Sequence, residues 1–231
     1  MFNRKKKSKQ LVARKLVTNV SPSSIISEQF RTLRTNINFS LPSKELKTLL
    51  FTSSSIGEGK STSSANVAIV FAQEGKKVLL VDADLRKPTM HYTFEKSNSP
   101  GLTNLLTGHW HINEVVKESG INGLHLITSG PIPSNPAELL GSSTMDMFIK
   151  EIKERYDMII FDAPPALSVS DAQILSNKCD GTILVISSGK TEKRNAVKAK
   201  DALLTSKANI IGTILNNYKL EKDHYYYQYY E

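Results

Sequence analysis

The residues best suited to chemistry lie in the stretch 53–62, which reads Ser-Ser-Ser-Ile-Gly-Glu-Gly-Lys-Ser-Thr. An apolar, β-favouring run at 48–52 precedes this stretch, and sequence with helical apolar spacing follows it. The order of strand, glycine-rich loop and helix is typical of a phosphate-binding loop, in which backbone N–H groups and a helix N-terminus attract phosphate oxygens. We therefore expect Lys60 to reach the β- and γ-phosphates of a nucleotide and the hydroxyl of Ser61 to bind Mg²⁺.

This loop differs from the usual pattern at Ser54, where G-x-x-x-x-G-K-[ST] has glycine. On the motif alone, a glycine- and serine-rich connection between a strand and a helix is therefore an alternative. That alternative loses weight because two further apolar runs end in aspartate, one at Asp82 and Asp84 and the other at Asp162. Carboxylates just past strand ends lie on the sheet edge where open α/β folds bind ligands. Beside a triphosphate they suit Mg²⁺ binding or proton abstraction.

Elsewhere, apolar strands alternate with helical patterns, which predicts an α/β fold with a mostly parallel sheet and helices on both faces. Further strands are predicted at Leu124–Ile127, 182–186 and 210–215, with a helix between about 191 and 206. Residues 89–123 are predicted to form short helices and loops and to carry no chemistry. The length of 231 residues suits one sizeable domain.

The net charge of +8 would suggest a nucleic-acid partner if it were spread over the protein. It is concentrated in the first 20 residues, which contain no acidic side chain. The basic residues there are Arg4, Lys5, Lys6, Lys7, Lys9, Arg14 and Lys15. Subtracting these seven charges from +8 leaves +1 for residues 21–231, so we predict no nucleic-acid partner. The basic arm either lies against an anionic membrane surface or is solvated and flexible.

Three absences in the sequence favour a cytoplasmic protein. No apolar run approaches the roughly 18–20 residues of a membrane span, and no secretory signal is visible. The single cysteine, Cys179, excludes an internal disulfide and fits a reducing compartment. The five histidines have no cysteine or histidine neighbours at metal-ligand spacing.

A helix is predicted to begin near residues 21–24, because an apolar stripe at helical spacing follows. The stripe consists of Ile26, Phe30, Leu33 and Ile37. Glu28, Arg31 and Arg34 are spaced by three and form a separate charged band on the same helix. This band is either a solvated face or a contact with a second subunit, where guanidinium groups would pair with carboxylates.

The end of the chain is rich in tyrosine, since five of the eight tyrosines lie in the last seven residues. These are Tyr225, Tyr226, Tyr227, Tyr229 and Tyr230. Aromatic residues that build a core are rarely placed at an extreme terminus, where order is hard to maintain. The segment is either a partly packed end or a flexible tail that offers phenolic hydroxyls to an enzyme.

Together these motifs resemble the bacterial protein-tyrosine kinases of capsule and exopolysaccharide synthesis, in their cytoplasmic form. The resemblance covers about residues 25–231 and rests on the loop at 53–62, the segments 80–88 and 160–165, and the tyrosine tail. The loop at 130–140 and the charged band also look like those of the family. Members tolerate Ser or Thr where the usual loop has glycine, so Ser54 fits the family pattern.

The resemblance implies a P-loop NTPase fold of the MinD/ParA type, with ATP and Mg²⁺ as cofactors. Together with the charge distribution, it divides the chain into a basic flexible arm at 1–20, a kinase domain at 21–219 and a flexible tyrosine-rich tail at 220–231. Asp82 would bind the metal or accept the tyrosyl proton, a choice with Asp84 that the sequence leaves open. Metal ligands implied are Ser61, Asp82, Asp84 and Asp162, with Lys60 on the phosphates. ATP contacts implied are Ser55, Gly57, Glu58, Gly59, Lys60, Ser61, Thr62 and Asn216.

The resemblance also implies partners. Family members phosphorylate their C-terminal tyrosines between subunits of a homo-oligomeric ring, which the charged band of Glu28, Arg31 and Arg34 would assemble. They depend on a separate transmembrane activator, a polysaccharide co-polymerase, which would recruit the protein to the inner face of the plasma membrane. A tyrosine phosphatase and other protein substrates complete the expected set of partners.

Two other classes of function are compatible with the loop. A MinD/ParA-like ATPase switch would position a partner by dimerising on ATP, but such proteins usually carry an extra lysine near the start of the loop, and residues 53–56 contain none. A passive nucleotide-binding scaffold would not need three aspartates near the γ-phosphate. The sequence therefore favours the kinase.

Overall fold

The structure is a computed structural model that describes residues 16–40 and 46–219. The predicted tail at 220–231, with its five tyrosines, lies outside the described residues, as do residues 1–15 of the predicted arm. None of the helices in the described ranges is both long and apolar enough to span a membrane.

Seven strands and ten helices make up the described part of the chain. The strands are β1 (Thr48–Ser53), β2 (Val78–Asp82), β3 (Val116–Ile121), β4 (Leu124–Ile127), β5 (Met158–Asp162), β6 (Gly181–Ser187) and β7 (Ile210–Asn216). The longer helices are α2 (Ile25–Phe39), α3 (Lys60–Gln73), α8 (Ser143–Arg155), α9 (Asp171–Lys178) and α10 (Lys193–Thr205). The short ones are α1 (Val17–Val20), α4 (Met90–Thr93), α5 (Leu102–Leu106), α6 (Ile112–Val115) and α7 (Pro136–Gly141).

The strands form one sheet in the order β3-β4-β2-β5-β1-β6-β7. All neighbouring pairs are parallel except β3 and β4, which confirms the predicted mostly parallel sheet. Strand β5 lies between β1 and β2, and its Asp162 is in register with Asp82 on one side and Phe51 on the other. The sheet order therefore brings the aspartate-ended strands beside the strand that leads into the glycine-rich loop.

Burial on both faces explains why the central strands are continuous apolar runs. All residues of β1, β2 and β5 are buried, as expected for parallel strands covered by helices on both sides. Successive residues face opposite sides, so Leu50 joins the core beneath α8 and α9 while Phe51 joins the core beneath α3. The site at the strand ends thus rests on a rigid support.

The structure corrects the sequence-based boundaries in two places. Residues 89–123 contain a strand, β3, that the sequence did not predict. Its segment is polar, includes Gly120 with φ +91°, and pairs only at the sheet edge, where polar side chains are tolerated.

The arm predicted at 1–20 extends too far, because Thr18 is fully buried and donates from its N and Oγ1 to Asn66 Oδ1 at 3.0 and 2.9 Å. Residues 16–20 therefore pack with the folded domain.

Helix α2 begins where the sequence predicted. The hydroxyl oxygen of Ser24 accepts a hydrogen bond from the Ser27 N–H at 3.2 Å and caps the helix N-terminus. Ile37 is buried, and Phe30 and Leu33 pack against the same core as α3. Ile26, the first residue of the predicted stripe, is 52% exposed. The apolar face of α2 is thus confirmed from Phe30 onward.

Candidate functional site

The glycine-rich loop connects β1 directly to α3, as predicted. Gly57 and Gly59 have φ of +81° and +99°, a backbone conformation that other residues adopt only with strain. A side chain at Gly59 would also lie 2.0 Å from Asn216 Nδ2 and would displace the Asn216 side chain. The loop therefore needs glycine at 59 for its backbone conformation, and glycine there leaves Asn216 in place.

Lys60 lies among three of the residues predicted to bind Mg²⁺. Its Nζ is 3.0 Å from Asp84 Oδ2, 3.4 Å from Asp162 Oδ1 and 3.2 Å from Ser61 Oγ. Burial alone would lower the pKa of Lys60, but the negative charges of Asp162, Asp84 and Asp82 outweigh it and raise the pKa. The lysine is therefore a fixed positive charge at the C-terminal edge of the sheet.

Asp82 and Asp84 occupy different environments. Asp82 is fully buried, and its Oδ2 accepts hydrogen bonds from the N–H groups of Thr89 and Met90 at 3.0 and 2.9 Å. Burial, together with the neighbouring negative charge of Asp162, raises the pKa of Asp82 to about 7. Asp84 instead lines an open cavity, and its Oδ1 accepts from the Lys87 N–H at 3.0 Å. A group bound in the cavity would meet Asp84 first.

The oxygen atoms around Lys60 suit Mg²⁺, which prefers carboxylate, hydroxyl and phosphate oxygens. Within the described residues, no three acidic, histidine or cysteine side chains converge as a metal cluster of their own. This fits Mg²⁺ rather than contradicting it, because Mg²⁺ in nucleotide sites is usually held by one or two carboxylates together with phosphates and water. Ser61, Asp84 and Asp162 are the side chains here that would hold it.

Comparison with known proteins decides the family. A family model described as an AAA domain matches residues 46–194. The tyrosine-protein kinase YwqD of Bacillus subtilis is 52% identical over 217 residues, which cover 94% of this chain and 91% of that protein. The putative tyrosine-protein kinase CapB of Staphylococcus aureus is 40% identical over 93% of this chain and 94% of its own length. The chain belongs to the bacterial tyrosine-protein kinases.

Solved structures agree with this assignment. The kinase domain of the Escherichia coli tyrosine kinase ETK superposes with a TM-score of 0.87 at 31% identity, over 96% of this chain and 86% of that one. The septum site-determining protein MinD of Pyrococcus horikoshii, solved with Mg-ADP, gives a TM-score of 0.65 at 22% identity, over 77% of this chain and 72% of that one. The latter likeness establishes the fold, which is the predicted P-loop fold of the MinD type.

The kinase has a cavity of about 1040 Å³ that extends well beyond the glycine-rich loop. One wall carries Gly57, Gly59, Lys60, Ser61 and Thr62, which were all predicted. The far wall was not predicted as part of a site. It includes Arg86, Lys87, Pro88, His91, Tyr92, Asn98, Ile132, Pro164, Pro165 and Val169. Most of this wall comes from three segments that contribute to the family resemblance: 80–88, 130–140 and 160–165. These segments were the sequence signal from which the wall could have been predicted.

Arg86 fixes one part of that far wall. Its Nε and one terminal nitrogen donate to the two carboxylate oxygens of Asp171 at 2.9 and 3.0 Å. The Asp171 side chain is fully buried at the first residue of α9. A two-pronged pair of this kind sets the orientation of both groups, so the loop after β2 is tied to α9. Sequence reasoning missed Asp171 because the two residues are 85 positions apart.

Three predicted ATP contacts, Ser55, Glu58 and Asn216, have partners within the protein. The Ser55 N–H donates to Glu58 Oε2 at 3.0 Å, and Glu58 is only 2% exposed. Asn216, at the end of β7, donates from Nδ2 to the backbone oxygen of Glu58 at 3.0 Å. The structure thus brings Ser55, Glu58 and Asn216 together at the outside of the loop, and their direct contact with ATP stays a prediction.

Proposed function

We propose that this kinase transfers the γ-phosphoryl group of ATP, with Mg²⁺, to tyrosines of its own C-terminal tail in a neighbouring subunit. The observation that carries the proposal is that the Lys60 ammonium group lies 3.0–3.4 Å from side-chain oxygens of Ser61, Asp84 and Asp162. Such a cluster of one cation and several oxygens at a glycine-rich loop suits a phosphoryl group and its metal.

Each side chain then has a defined task. Lys60 would neutralise charge on the β- and γ-phosphates, and Mg²⁺, when bound, would supply further positive charge at the same oxygens. Asp84 lies on the cavity wall where the acceptor hydroxyl must approach, so we assign it the contact with that hydroxyl. Asp82 lies behind it, fully buried, and its Oδ1 accepts from the Asp84 N–H at 3.3 Å, so we assign it the positioning of Asp84.

The cavity beyond Lys60 supports a peptide acceptor. Its far wall combines apolar side chains, among them Pro88, Tyr92 and Ile132, with the cation Lys87, whereas the charge of Arg86 is already paired with Asp171. Apolar surface suits a phenol ring, and cations suit the acidic residues Asp223 and Glu231 that flank the tail tyrosines. The acceptor chemistry that fits this wall is a tyrosine in an acidic segment.

The family resemblance supports the remaining parts of the proposal. We place the kinase in the regulation of capsular or extracellular polysaccharide synthesis, at the inner face of the plasma membrane. A separate transmembrane activator would recruit it there, and a tyrosine phosphatase would reset it.

An ATP-dependent phosphotyrosine assay separates this proposal from a MinD/ParA-like switch. Full-length protein with ATP and Mg²⁺ is expected to gain phosphotyrosine, detected with a phosphotyrosine antibody, alongside release of ADP. A switch would release ADP and inorganic phosphate without phosphotyrosine, and a passive scaffold would do neither. Either of those outcomes, with the activator's cytoplasmic segment present, would contradict the proposal.

We further propose that Glu28 and Arg31 join subunits. They pair with each other on α2, where both side chains are partly exposed, and Arg31 also donates to the Pro22 backbone oxygen at 2.8 Å, just before the helix. Arg34, the third residue of the predicted band, instead donates to the Val70 backbone oxygen at 3.0 Å and pairs with Glu74 at 3.3 Å. Replacing all three would therefore also remove a contact between α2 and α3, and a double variant is the cleaner test.

Glu28→Ala/Arg31→Ala is expected to convert the assembly to monomers with little loss of monomer stability, because exposed pairs within a helix contribute only about 0.3–0.5 kcal/mol. Light scattering measures the mass. The matched control is Glu151→Ala/Arg155→Ala, which removes an exposed pair from α8. An unchanged mass, or a wild type that is monomeric before phosphorylation, would show that the charged band is a solvated face and not a subunit contact.

A further inference from the structure

The glycine-rich loop is held from outside by residues far away in the sequence. Glu58, the residue before Gly59, turns its carboxylate away from solvent and is 2% exposed. Three neutral donors reach this carboxylate: the Ser54 hydroxyl at 2.8 Å, the Ser55 N–H at 3.0 Å and the Thr191 hydroxyl. Thr191 follows β6 and is 133 positions from Glu58. The buried charge is therefore satisfied by the loop itself and by one distant hydroxyl.

Hydrogen bonding fixes the direction of the Thr191 hydroxyl. Its oxygen accepts from the Ser187 N–H at 2.9 Å, so its single proton is directed to Glu58. The hydrogen bonds to Glu58 also explain why the loop has serine at position 54. A glycine at 54 would lack the hydroxyl that donates to Glu58, and the buried carboxylate would lose one of its partners. Serine at this position and glutamate at 58 belong to one network.

Two further contacts orient backbone groups of the loop. Lys190 Nζ donates to the Gly57 oxygen at 3.3 Å, and Asn216 Nδ2 donates to the Glu58 oxygen at 3.0 Å. Both peptide bonds are trans, and in a trans peptide the C=O and the following N–H point in opposite directions. Holding these two oxygens outward therefore turns the N–H groups of Glu58 and Gly59 to the other side of the loop, where Gly57 and Gly59 line the cavity.

We propose that Thr191 and Asn216, acting through Glu58, are positioning residues that set the backbone N–H groups of the loop for phosphate binding. They touch the loop from outside and need not contact ATP. The segments that follow β6 and β7 thus determine how well the loop binds phosphate. This inference rests on the proposed binding of ATP at the loop.

The test uses full-length protein and two measurements. The first is the Kd for ATP in the presence of Mg²⁺, obtained by titration with a fluorescent ATP analogue and competition by ATP. The second is the steady-state kinetics of tyrosine phosphorylation, which give kcat and the KM for ATP. Thr191→Val is expected to raise the Kd and KM about tenfold, equivalent to about 1.4 kcal/mol, with kcat within about twofold of wild type. Thr191→Ser, which keeps the hydroxyl, is expected to restore both constants. Asn216→Asp, which removes the donor to the Glu58 oxygen, is expected to act like Thr191→Val.

The control is Thr205→Val, because in the described part of the chain the Thr205 hydroxyl donates within α10, to Asp201 O at 2.9 Å. Thermal melting of each variant reports whether it folds. Adding Thr191→Val to Glu58→Gln is expected to raise the Kd less than about twofold further, because both changes break one network. The positioning role is wrong, while the proposed function stands, if wild-type protein binds ATP and both Thr191→Val and Asn216→Asp bind it as tightly as wild type. The positioning role is also wrong if Thr191→Ser binds ATP as weakly as Thr191→Val does. If wild-type protein does not bind ATP, both are wrong.

Discussion

Lys60→Met is expected to lower the rate of tyrosine phosphorylation by at least about 100-fold. Preorganised charge at a transferring phosphoryl group typically contributes this much, and Lys60 is the cation that the loop places there. The measurement is incorporation of labelled phosphate from ATP, compared with wild type. Lys198→Met, which changes an exposed lysine on α10, is the matched control and is expected to keep full activity. Full activity of Lys60→Met would overturn the site assignment.

The same substitution affects stability, which the sequence alone did not predict. Lys60 pairs with Asp84 and Asp162, so methionine leaves two nearly buried carboxylates without their cation. Lys60→Arg separates the two effects because it retains the positive charge but has a different shape from the lysine ammonium. We expect Lys60→Arg to melt close to wild type and to remain inactive, and Lys60→Met to melt at a lower temperature and to be inactive.

Replacing all five tail tyrosines with phenylalanine is expected to remove nearly all self-phosphorylation. The positions are Tyr225, Tyr226, Tyr227, Tyr229 and Tyr230. They share one short segment, so an adjacent active site meets several of them at high effective concentration once subunits assemble. The domain retains Tyr92 and Tyr218, which are 45% and 56% exposed, as internal controls. Label that persists on these two in the variant would contradict the tail as acceptor.

Phosphorylation of the tail is also expected to limit itself. Each phosphate adds about −1.5 to −2 charges at neutral pH, so five would place roughly −8 to −10 beside Asp223 and Glu231. The proposed active site contains Asp82, Asp84 and Asp162, and bound nucleotide phosphates would add to their negative charge. Repulsion should then weaken docking of the tail and loosen the assembly, until a phosphatase removes the phosphates.

How much of the site could be predicted depended on whether its signal was local. The loop at 53–62 and the aspartates at strand ends are local patterns, and parallel strands bring their C-terminal ends to one edge, so Lys60, Asp84 and Asp162 could be placed together before the structure was known. The contacts of Glu58 with Thr191 and of Arg86 with Asp171 depend on strand order and loop shape. Single residues at separations of 133 and 85 positions leave no pattern in one sequence.

The fold also divides into elements that have a local sequence signal and elements that do not. Central strands such as β1 and β5 were predictable because burial on both faces requires continuous apolar sequence. Edge strand β3 is polar and broken by Gly120, so its sequence does not distinguish it from a loop. Thr18 was assigned to the arm because charge dominates the first 20 residues, whereas its burial depends on a partner, Asn66, in α3.

The most direct test of transfer between subunits mixes two defective proteins. Lys60→Met protein retains the tail but lacks the lysine proposed to act on the phosphates, and the phenylalanine-tail variant retains the site but lacks the proposed acceptors. The two chains are made with tags of different size, mixed with ATP and Mg²⁺, and probed for phosphotyrosine. Label on the Lys60→Met chain, and on neither protein alone, is the predicted result. If that chain stays unlabelled while wild-type protein labels itself at a rate independent of its concentration, transfer occurs within one chain and the account is contradicted.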